Sequence, residues 1–419
     1  MAEIAVLGYG TVGSGVVEVL RTNQRSIDKR AMQPIRVRRV LDLRDFPGSG
    51  IERILTKDFN DILNDNDITA VVETMGGVVP AYDFVKKLLL RGKSVVTSNK
   101  ELVAKHGAEL LSIAREKNIN FLFEASVGGG IPIIRSLNSS LTADEITEIS
   151  GILNGTTNYI LTEMTQKGRG FDEVLKEAQN LGYAEKNPDA DVLGYDTCRK
   201  IAILISLAIG QQADFEDIFT EGITKITQND IEYAKMLDCV IKLTANARII
   251  ENGVYARVSP ALISKNHPLS MVNDVFNAIF VNGNVIGDVM FYGRGAGKLP
   301  TASAVVADVV ACVRSLNRNL MHFWSSEKRR IFPIEDNICS KLVRFSCENG
   351  AQKDKITSEV SNIFGGVSLI ALPGNFDEYA FVSEEMRERD LDEKLKLLIK
   401  SGTAKEILSK IRIEGAREK

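Results

Sequence analysis

The first 130 or so residues alternate short apolar, β-branched segments with longer amphipathic segments. The short segments are, in order, IAVL, IRVRRVL, ITAVVETM, KSVVTSN and INFLFEAS. Strands that alternate with helices in this way predict βαβ units and a parallel sheet. The amino-terminal region is therefore predicted to form a doubly wound α/β domain.

Three glycines, Gly8, Gly10 and Gly13, lie between the strand IAVL and the helix that follows it. The first glycine permits a tight turn, the second lets a phosphate approach the backbone, and the third lets helix and strand pack closely. The helix begins near Thr11 and Val12, so its N-terminus faces the phosphates. Together with the other βαβ units, this segment predicts a Rossmann-type domain that binds NAD or NADP.

The second strand ends in the sequence LDLRD, residues 41–45, which contains both acidic and basic side chains. An acid at this position binds the ribose hydroxyls of NAD, whereas an arginine, here Arg44, pairs with the additional phosphate of NADP. Each residue is equally compatible with a charged loop. The sequence therefore leaves the choice between the two cofactors open.

Composition excludes several classes of partner. With 52 Lys and Arg against 55 Asp and Glu, the net charge is -3, so neither nucleic acid nor a membrane surface is indicated. The longest apolar run, Ile201 to Ile209, is much shorter than the ~20 residues of a membrane span. The N-terminus has no signal-peptide pattern, and the five cysteines form no CxxC pair. These features predict a cytoplasmic protein with reduced thiols and a small-molecule substrate.

The length of 419 residues predicts two or three domains. The pattern of predicted secondary structure changes near residue 140. From there on, long helical segments are mixed with a strand-like stretch, TANARIIENGVYARVSPALI. Three divisions are predicted. The first is a dinucleotide-binding domain at residues 1–135 with a returning helix at 297–320, the second is an α+β domain at residues 136–296, and the third is a unit at residues 338–419.

The carboxy-terminal region reads as strand, helix, strand, strand, helix, strand. The segments are KLVRFSC, AQKDKITSEVSNIF, GVSLIAL, EYAFVSEEM, LDEKLKLLIKSG and KIRIEG. This βαββαβ order predicts a ferredoxin-like arrangement.

Two segments follow predicted strands of the first domain at their carboxyl ends, where open α/β sheets bind ligands. Lys100 closes KSVVTSN and can reach the nicotinamide side of the site. Glu124 begins EASVGGGIP, where one carboxylate and free backbone carbonyls would suit sodium or potassium better than zinc. A glycine-rich hinge is a compatible alternative for the second segment.

The segment NGTTN, residues 154–158, offers amide and hydroxyl groups at a helix start. These groups suit a bound carboxylate, and simple N-capping explains them equally well.

Asp196 and Lys200 lie four residues apart at the start of the apolar run IAILISLAIG, so on a helix they share one face. An exposed ion pair is the simplest interpretation, but the junction of core and polar loop favours a lysine that exchanges a proton with a substrate oxygen. Glu185 and Asp191 add carboxylates that attract a cationic amino group. Proton transfer by lysine also suits a chain with only three histidines, His106, His267 and His322.

Taken together, these segments resemble the homoserine dehydrogenase family over residues 1–320. Seven motifs occur in that family's order: GYGTVGSGV, ETMGG, TSNKELVA, EASVGGGIPII, ILNGTTNYILT, GYAEKNPDADVLGYDTCRK and GAGKLPTASAV. The resemblance implies NAD(P)-dependent interconversion of L-homoserine and L-aspartate 4-semialdehyde, on the route to threonine, methionine and isoleucine. The alternatives are a dehydrogenase for another small amino aldehyde and a nucleotide-sensing regulatory protein.

The resemblance also implies roles for individual residues. Lys200 would be the proton donor or acceptor, Lys100 a second active-site lysine, and Asp196 the neighbour of Lys200. The remaining roles fall into three groups: substrate contacts at Glu185, Asp191, Asp196, Tyr183 and Thr156; cofactor contacts at Gly182 and Gly297; and a sodium site formed by Glu124 and the carbonyls of Val127, Gly129 and Ile131.

The family further implies that residues 136–296 bind the substrate and form the contact of a homodimer or higher homo-oligomer. It also implies that residues 338–419 form a regulatory ACT domain that binds an amino-acid effector. Two segments depart from the family pattern. Lys186 and Asn187 stand where many relatives carry a second acid, and ENGAQKDKI replaces the usual Pro-Gly turn of the ACT domain.

Overall fold

The structure is a computed structural model that describes residues 1–321, 323–348, 353–375 and 377–414. Its strands, in chain order, are β1 Ala2–Leu7, β2 Ile35–Leu41, β3 Leu55–Thr56, β4 Ile68–Glu73, β5 Ser94–Thr97, β6 Phe121–Leu122, β7 Ile146–Ile152, β8 Gln211–Gln212, β9 Phe219–Thr220, β10 Cys239–Ile250, β11 Gly253–Ser264, β12 Phe276–Gly283, β13 Gly287–Arg294, β14 Ser325–Lys328, β15 Ile338–Cys339, β16 Lys341–Ser346, β17 Glu378–Val382, β18 Met386–Arg387 and β19 Glu406–Glu414.

The α-helices are α1 Thr11–Thr22, α2 Gln24–Ala31, α3 Asn60–Leu63, α4 Ala81–Leu90, α5 Lys100–Glu116, α6 Ile133–Arg135, α7 Gly155–Lys167, α8 Phe171–Asn180, α9 Asp189–Val192, α10 Tyr195–Ile209, α11 Gln228–Met236, α12 Lys298–Arg314, α13 Lys353–Phe364 and α14 Glu388–Lys400. None of the helices in the described ranges is long and apolar enough to cross a membrane.

The chain forms two compact units, each assembled from three segments. Unit 1 comprises Met1–Ile149, Arg199–Asp217 and Asn277–Arg330. Unit 2 comprises Ser150–Cys198, Ile218–Phe276 and Ile331–Lys419.

Unit 1 contains a six-stranded sheet in the order β3-β2-β1-β4-β5-β6. All neighbouring strands in it are parallel. In β1, Ile4, Ala5, Val6 and Leu7 are fully buried, because helices cover both faces of a parallel sheet. The strand order reverses direction at β1, which is the topological switch point of this fold. The predicted doubly wound domain is confirmed.

Helix α12 also packs in unit 1, against α1. Gly15 of α1 approaches it so closely that an added Cβ would lie 2.9 Å from the carbonyl oxygen of Lys298 and 3.1 Å from Cβ of Ala302. Lys298 also pairs with Glu18 at 2.6 Å. Close packing of the two helices thus explains the small side chain of Ala302 in GAGKLPTASAV.

One predicted strand of unit 1 is shorter than the sequence pattern indicates. INFLFEAS pairs with β5 only at Phe121 and Leu122, and Glu124–Ser126 form a 3-10 turn. Phe123 is fully buried without strand pairing. The apolar pattern of INFLFEAS predicts a longer strand, but an apolar residue can be buried without a sheet partner.

Unit 2 is built on the antiparallel pair β10 and β11, whose register runs from Cys239–Ser264 to Ile250–Gly253. Strand β19 pairs in parallel with β11, and β16 joins β19 and β17 by antiparallel pairing. The carboxy-terminal strands therefore extend the same sheet as β10 and β11.

Within the carboxy-terminal region, the predicted strand GVSLIAL is wrong as a full strand. It makes a single bridge, Ile370 to Ala380. Turn residues bound it closely, since Gly365, Gly366 and Gly374 all have positive φ. The likeness to an ACT domain stays a prediction, and residues 349–352 of ENGAQKDKI lie outside the described residues.

Candidate active site

The glycine turn between β1 and α1 shows three different constraints. Gly8 has a φ of +88°, a left-handed conformation that glycine adopts without strain. At Gly13 an added Cβ would overlap the carbonyl oxygen of Gly8, so no side chain fits. At Gly10 an added Cβ would meet nothing within 4 Å. The space in front of Gly10, at the N-terminus of α1, is therefore open to a phosphate, and Thr11 and Val12 form the first turn behind it.

Asp42 lies at the end of β2 and is held by two neighbours. Its carboxylate accepts a 2.8 Å hydrogen bond from the backbone N–H of Tyr9 and side-chain bonds of 3.0 and 2.9 Å from Arg44. These bonds, above all those from Arg44, hold the pKa of Asp42 at about 2. The Arg44 side chain is 65% exposed and so remains open to solvent on its other side.

A buried network organises the carboxyl ends of β4 and β5. Glu73 accepts hydrogen bonds from the backbone N–H of Met75 at 2.7 Å and from the hydroxyl of Thr97 at 2.6 Å. Thr97 in turn accepts from the N–H of Asn99, which caps α5. Lys100 is the first residue of that helix, so the network fixes the backbone position of Lys100.

Sequence reasoning did not single out Glu73, although it lies in ETMGG. The available signal was an acid that ends an otherwise apolar strand. Glu73 is fully buried, and burial raises its pKa. Both of its oxygens accept hydrogen bonds, so the fold supplies donors for the ionised form.

Glu124 lies at the start of the 3-10 turn after β6. Its two oxygens accept the backbone N–H groups of Ile134 and Arg135, each at 2.8 Å. Asp308 of α12 accepts from the N–H of Glu124 at 2.9 Å and from the Arg135 guanidinium at 2.7 Å. Burial raises the pKa of Glu124 to about 7 and that of Asp308 to about 6. Both buried carboxylates thus contact Arg135, Glu124 through the backbone N–H and Asp308 through the guanidinium.

Asn154 joins two of the predicted substrate carboxylates in unit 2. Its amide nitrogen donates to Asp191 at 2.7 Å and to Asp196 at 2.9 Å. Asp191 is half-buried and Asp196 is only 2% exposed. The structure therefore brings together residues that are 37 and 42 positions apart in sequence.

Thr156 and Tyr183 also meet in unit 2. The Thr156 hydroxyl donates to the backbone carbonyl of Tyr183 at 2.7 Å, and the Tyr183 ring packs edge-on against Tyr159, with 5.2 Å between ring centroids. Gly182 has a φ of +75° and ends the turn after α8. Glu185, three residues after Gly182, is exposed.

Asp196 and Lys200 both belong to α10, one turn apart. Their exposed fractions are 2% and 8%. An exposed surface ion pair, the simplest interpretation of the sequence, is therefore wrong, because both side chains are withdrawn from water.

The unusual residues Lys186 and Asn187 lie on an exposed loop before α9. The Asn187 side-chain oxygen accepts the backbone N–H of Asp189 at 3.2 Å. This bond forms a local Asx turn into α9, which explains an asparagine at this position. Nothing in the structure explains Lys186.

The two histidines within the described residues have structural contacts. The ring of His106 stacks on Tyr82 with 4.0 Å between centroids, and Nδ1 of His267 accepts the N–H of Leu269 at 3.2 Å. His322 lies outside the described residues. Among the residues that are described, no group of three or more His, Cys, Asp or Glu side chains is placed to hold a metal ion.

Comparison with known proteins gives a consistent family. Residues 8–124 match the family described as homoserine dehydrogenase, NAD binding domain, and residues 132–310 match the family described as homoserine dehydrogenase. A homoserine dehydrogenase of Synechocystis is 41% identical over 98% of this chain and 99% of its own length. The chain belongs to the homoserine dehydrogenase family. It is an NAD(P)-dependent oxidoreductase that interconverts L-homoserine and L-aspartate 4-semialdehyde in amino-acid biosynthesis, as the sequence predicted.

Solved homoserine dehydrogenases share the fold. The crystal structure of one from Thiobacillus denitrificans has a TM-score of 0.88 and 37% identity, covering 99% of this chain and 98% of that one. A hyperthermophilic archaeal homoserine dehydrogenase in complex with NADPH has a TM-score of 0.63 and 26% identity, covering 74% of this chain and 97% of that one.

The glycine turn generates a prediction that separates binding from folding. Gly10→Ala should leave the thermal unfolding midpoint unchanged, because its Cβ meets no atom, yet weaken NADPH binding roughly tenfold or more by crowding the phosphates. Gly13→Ala should lower the midpoint as well, because its Cβ overlaps Gly8. Fluorescence titration and thermal denaturation measure the two effects. Wild-type NADPH affinity in Gly10→Ala would contradict the assignment.

Proposed function

We propose that the amino-acid end of homoserine binds in unit 2 and that Lys200 handles the proton of its hydroxyl. The observation that carries this assignment is the pair Asp191 and Asp196, joined by one amide, with Lys200 one helical turn beyond Asp196. Two carboxylates create an electrostatically negative position that suits the ammonium group of an amino acid. Glu185 on the neighbouring loop adds to this negative charge.

Around these carboxylates, Thr156 and Tyr183 form the wall that contacts the carbon chain of the substrate. Their mutual hydrogen bond fixes the loop before Glu185 relative to the start of α7. This contact supports a substrate-binding role for both residues.

The chemistry requires a hydride and a proton to leave the same alcohol group. Bound NAD(P) supplies the hydride acceptor. In our proposal, Lys200 accepts the hydroxyl proton during oxidation and returns it during reduction, while Asp196 orients Lys200. Lys100 lies on the nicotinamide side as the second active-site lysine, and its position at the start of α5 is fixed through Asn99 and Glu73.

The proton-transfer role makes a prediction for kinetics. Lys200→Met should lower kcat by roughly a hundredfold to ten-thousandfold, the usual contribution of a general acid or base, while NADPH affinity stays at the wild-type value. Lys176→Met, at an exposed position on α8, is the matched control and should retain full activity. Initial rates of L-homoserine oxidation and a cofactor titration measure both quantities. A Lys200→Met enzyme with wild-type kcat would exclude the role.

For the cofactor we propose a preference for NADP(H) through Arg44. Asp42 is neutralised by Arg44 and Tyr9, so its charge does not strongly repel a phosphate. The exposed guanidinium of Arg44 can pair with that phosphate. The archaeal relative bound to NADPH supports this preference. The other proposed cofactor contacts are backbone positions: Gly8, Gly10, Thr11, Val12, Gly13, Gly182 and Gly297.

If Arg44 pairs with the additional phosphate, Arg44→Ala should raise the Kd for NADPH by roughly tenfold to a hundredfold and leave the Kd for NADH nearly unchanged. Arg53→Ala, also exposed in unit 1, should change neither. Equal loss of affinity for both cofactors would show that Arg44 acts on the fold and not on the phosphate.

We also propose a sodium site at Glu124 and the carbonyls of Val127, Gly129 and Ile131. The residues fit a monovalent cation because Glu124 and Asp308 are both buried and the Arg135 guanidinium pairs with Asp308, so a cation beside Glu124 would stabilise its ionised form. We expect sodium chloride to raise the thermal unfolding midpoint more than choline chloride does, and Glu124→Gln to abolish the difference. Equal midpoints in both salts for the wild-type protein would argue against the site.

Finally, we propose a cytoplasmic homodimer whose carboxy-terminal region binds an amino-acid effector as an ACT domain does. The elements β16, α13, β17, α14 and β19 follow the βαββαβ order apart from the shortened second strand, which supports this proposal. Light scattering with and without L-threonine tests the dimer and the effector together. A monomer that threonine leaves unchanged in mass and activity would oppose both.

A further inference from the structure

Asn154 makes more contacts than a helix cap requires. It is the N-cap of α7, and its side-chain oxygen accepts the backbone N–H of Thr157 at 2.9 Å. The same side chain is 5% exposed, so its amide nitrogen also needs partners inside the protein. Those partners are Asp191 and Asp196.

Chemistry fixes the orientation of this amide. The Thr157 N–H can only donate, so it must face the Asn154 oxygen, whereas ionised carboxylates can only accept and must face the nitrogen. An NH2 group carries two hydrogens, and here each one serves a different carboxylate. A single planar group therefore bridges the side chains of Asp191 and Asp196.

Only asparagine meets all of these demands. Aspartate, serine and threonine also cap helices, but none of them presents an oxygen to the helix and two donors to carboxylates. The donors matter because two neighbouring carboxylates repel each other unless hydrogen bonds stabilise their charged forms. Capping alone therefore does not account for an asparagine here.

The helix that carries Asn154 is itself held firmly in unit 2. Asn158, one turn further on, donates to the carbonyls of Val272 at 3.1 Å and Phe276 at 3.0 Å. Buried Lys242 donates to the Asn158 oxygen at 3.0 Å. At Gly155 an added Cβ would lie 2.8 Å from the carbonyl oxygen of Val275, so the loop packs directly on the helix start. Asn154 thus projects from a fixed base.

We propose that Asn154 is a positioning residue that sets the substrate length the enzyme accepts. The inference rests on the proposed function, in which Asp191 binds the ammonium group and Asp196 orients Lys200 towards the hydroxyl. Ammonium and hydroxyl are the two ends of a short carbon chain in homoserine. The amide holds Asp191 at a set distance from Asp196. It thereby sets the distance between the group that binds the ammonium and the group that positions Lys200 at the hydroxyl.

Two variants that keep the helix cap test this role. Asn154→Ser and Asn154→Asp each retain an oxygen for the Thr157 N–H, so both should fold and keep the wild-type NADPH Kd. Both should lower the thermal midpoint because Asp196 loses a donor, and Asn154→Asp should lower it more. Both lose the amide donors. We expect kcat/KM for L-homoserine to fall roughly ten- to a hundredfold, mainly through KM, with the larger loss in Asn154→Asp, which adds a third acid.

Substrate length is the second readout. The wild-type preference for L-homoserine over its homologue with one additional methylene, L-2-amino-5-hydroxypentanoate, should shrink in Asn154→Ser. Asn64→Ser, at an exposed position in unit 1, should leave both the preference and kcat/KM unchanged. A properly folded Asn154→Ser enzyme with wild-type KM and wild-type preference would reduce Asn154 to a cap and overturn the inference.

Asp191→Asn separates this inference from the proposed function beneath it. If Asp191 binds the ammonium group, its replacement raises KM for L-homoserine, and combining it with Asn154→Ser costs less than the two single effects multiplied together. An unchanged KM in Asp191→Asn would overturn the ammonium assignment and the inference with it. A raised KM in Asp191→Asn alongside a wild-type Asn154→Ser would overturn the inference alone.

Discussion

Asp196 is almost entirely buried, and a carboxylate in such a position needs hydrogen-bond donors that water can no longer provide. The amide of Asn154 supplies one of these donors, and it supplies another to Asp191. This requirement links the start of α7 to α9 and α10 through side-chain hydrogen bonds. The proposed substrate contacts depend on that tie, because the charges of Asp191 and Asp196 are useful for recognition only when their separation is fixed.

Unit 1 follows a different constraint, which is close approach of backbone to backbone. Gly13 of α1 packs against Gly8 in the turn after β1, and Gly15 of α1 packs against α12, so both glycines are too close to their neighbours for a side chain. The open space at Gly10 is the complement of that tight packing, since it leaves the N-terminus of α1 accessible to a phosphate. Elsewhere in unit 1, the buried acid Glu73 fixes the backbone position of Lys100 through Thr97 and Asn99.

Much of the fold could be predicted from the sequence because its signals are local. The alternation of β-branched and amphipathic segments identified the parallel sheet, and the glycine spacing identified the cofactor turn. The apolar pattern gave a wrong prediction where residues are buried but do not pair as a full strand. Phe123 is buried beyond the end of β6, and Ile370 makes one bridge between glycine turns, so apolar runs there are not full strands.

The candidate site was predictable in its residues but not in its connections. Asp191, Asp196 and Lys200 could be named from spacing and resemblance, whereas the bond from Asn154 to both acids depends on tertiary contacts across 37 and 42 positions. The same applies to Glu73, whose partner Thr97 is 24 positions away. Asn187 shows the converse, since its departure from the family pattern is explained by a turn two residues long.

The central claim is that homoserine is held by its ammonium group at Asp191 while its hydroxyl faces Lys200. A crystal structure of the enzyme with NADPH and L-homoserine tests this directly, because both ligands are reduced and the complex cannot react. In that complex the ammonium nitrogen should lie about 3 Å from the Asp191 carboxylate and the hydroxyl oxygen about 3 Å from Nζ of Lys200. A homoserine whose ammonium group lies away from Asp191, or whose hydroxyl is bonded to a different side chain, would contradict it.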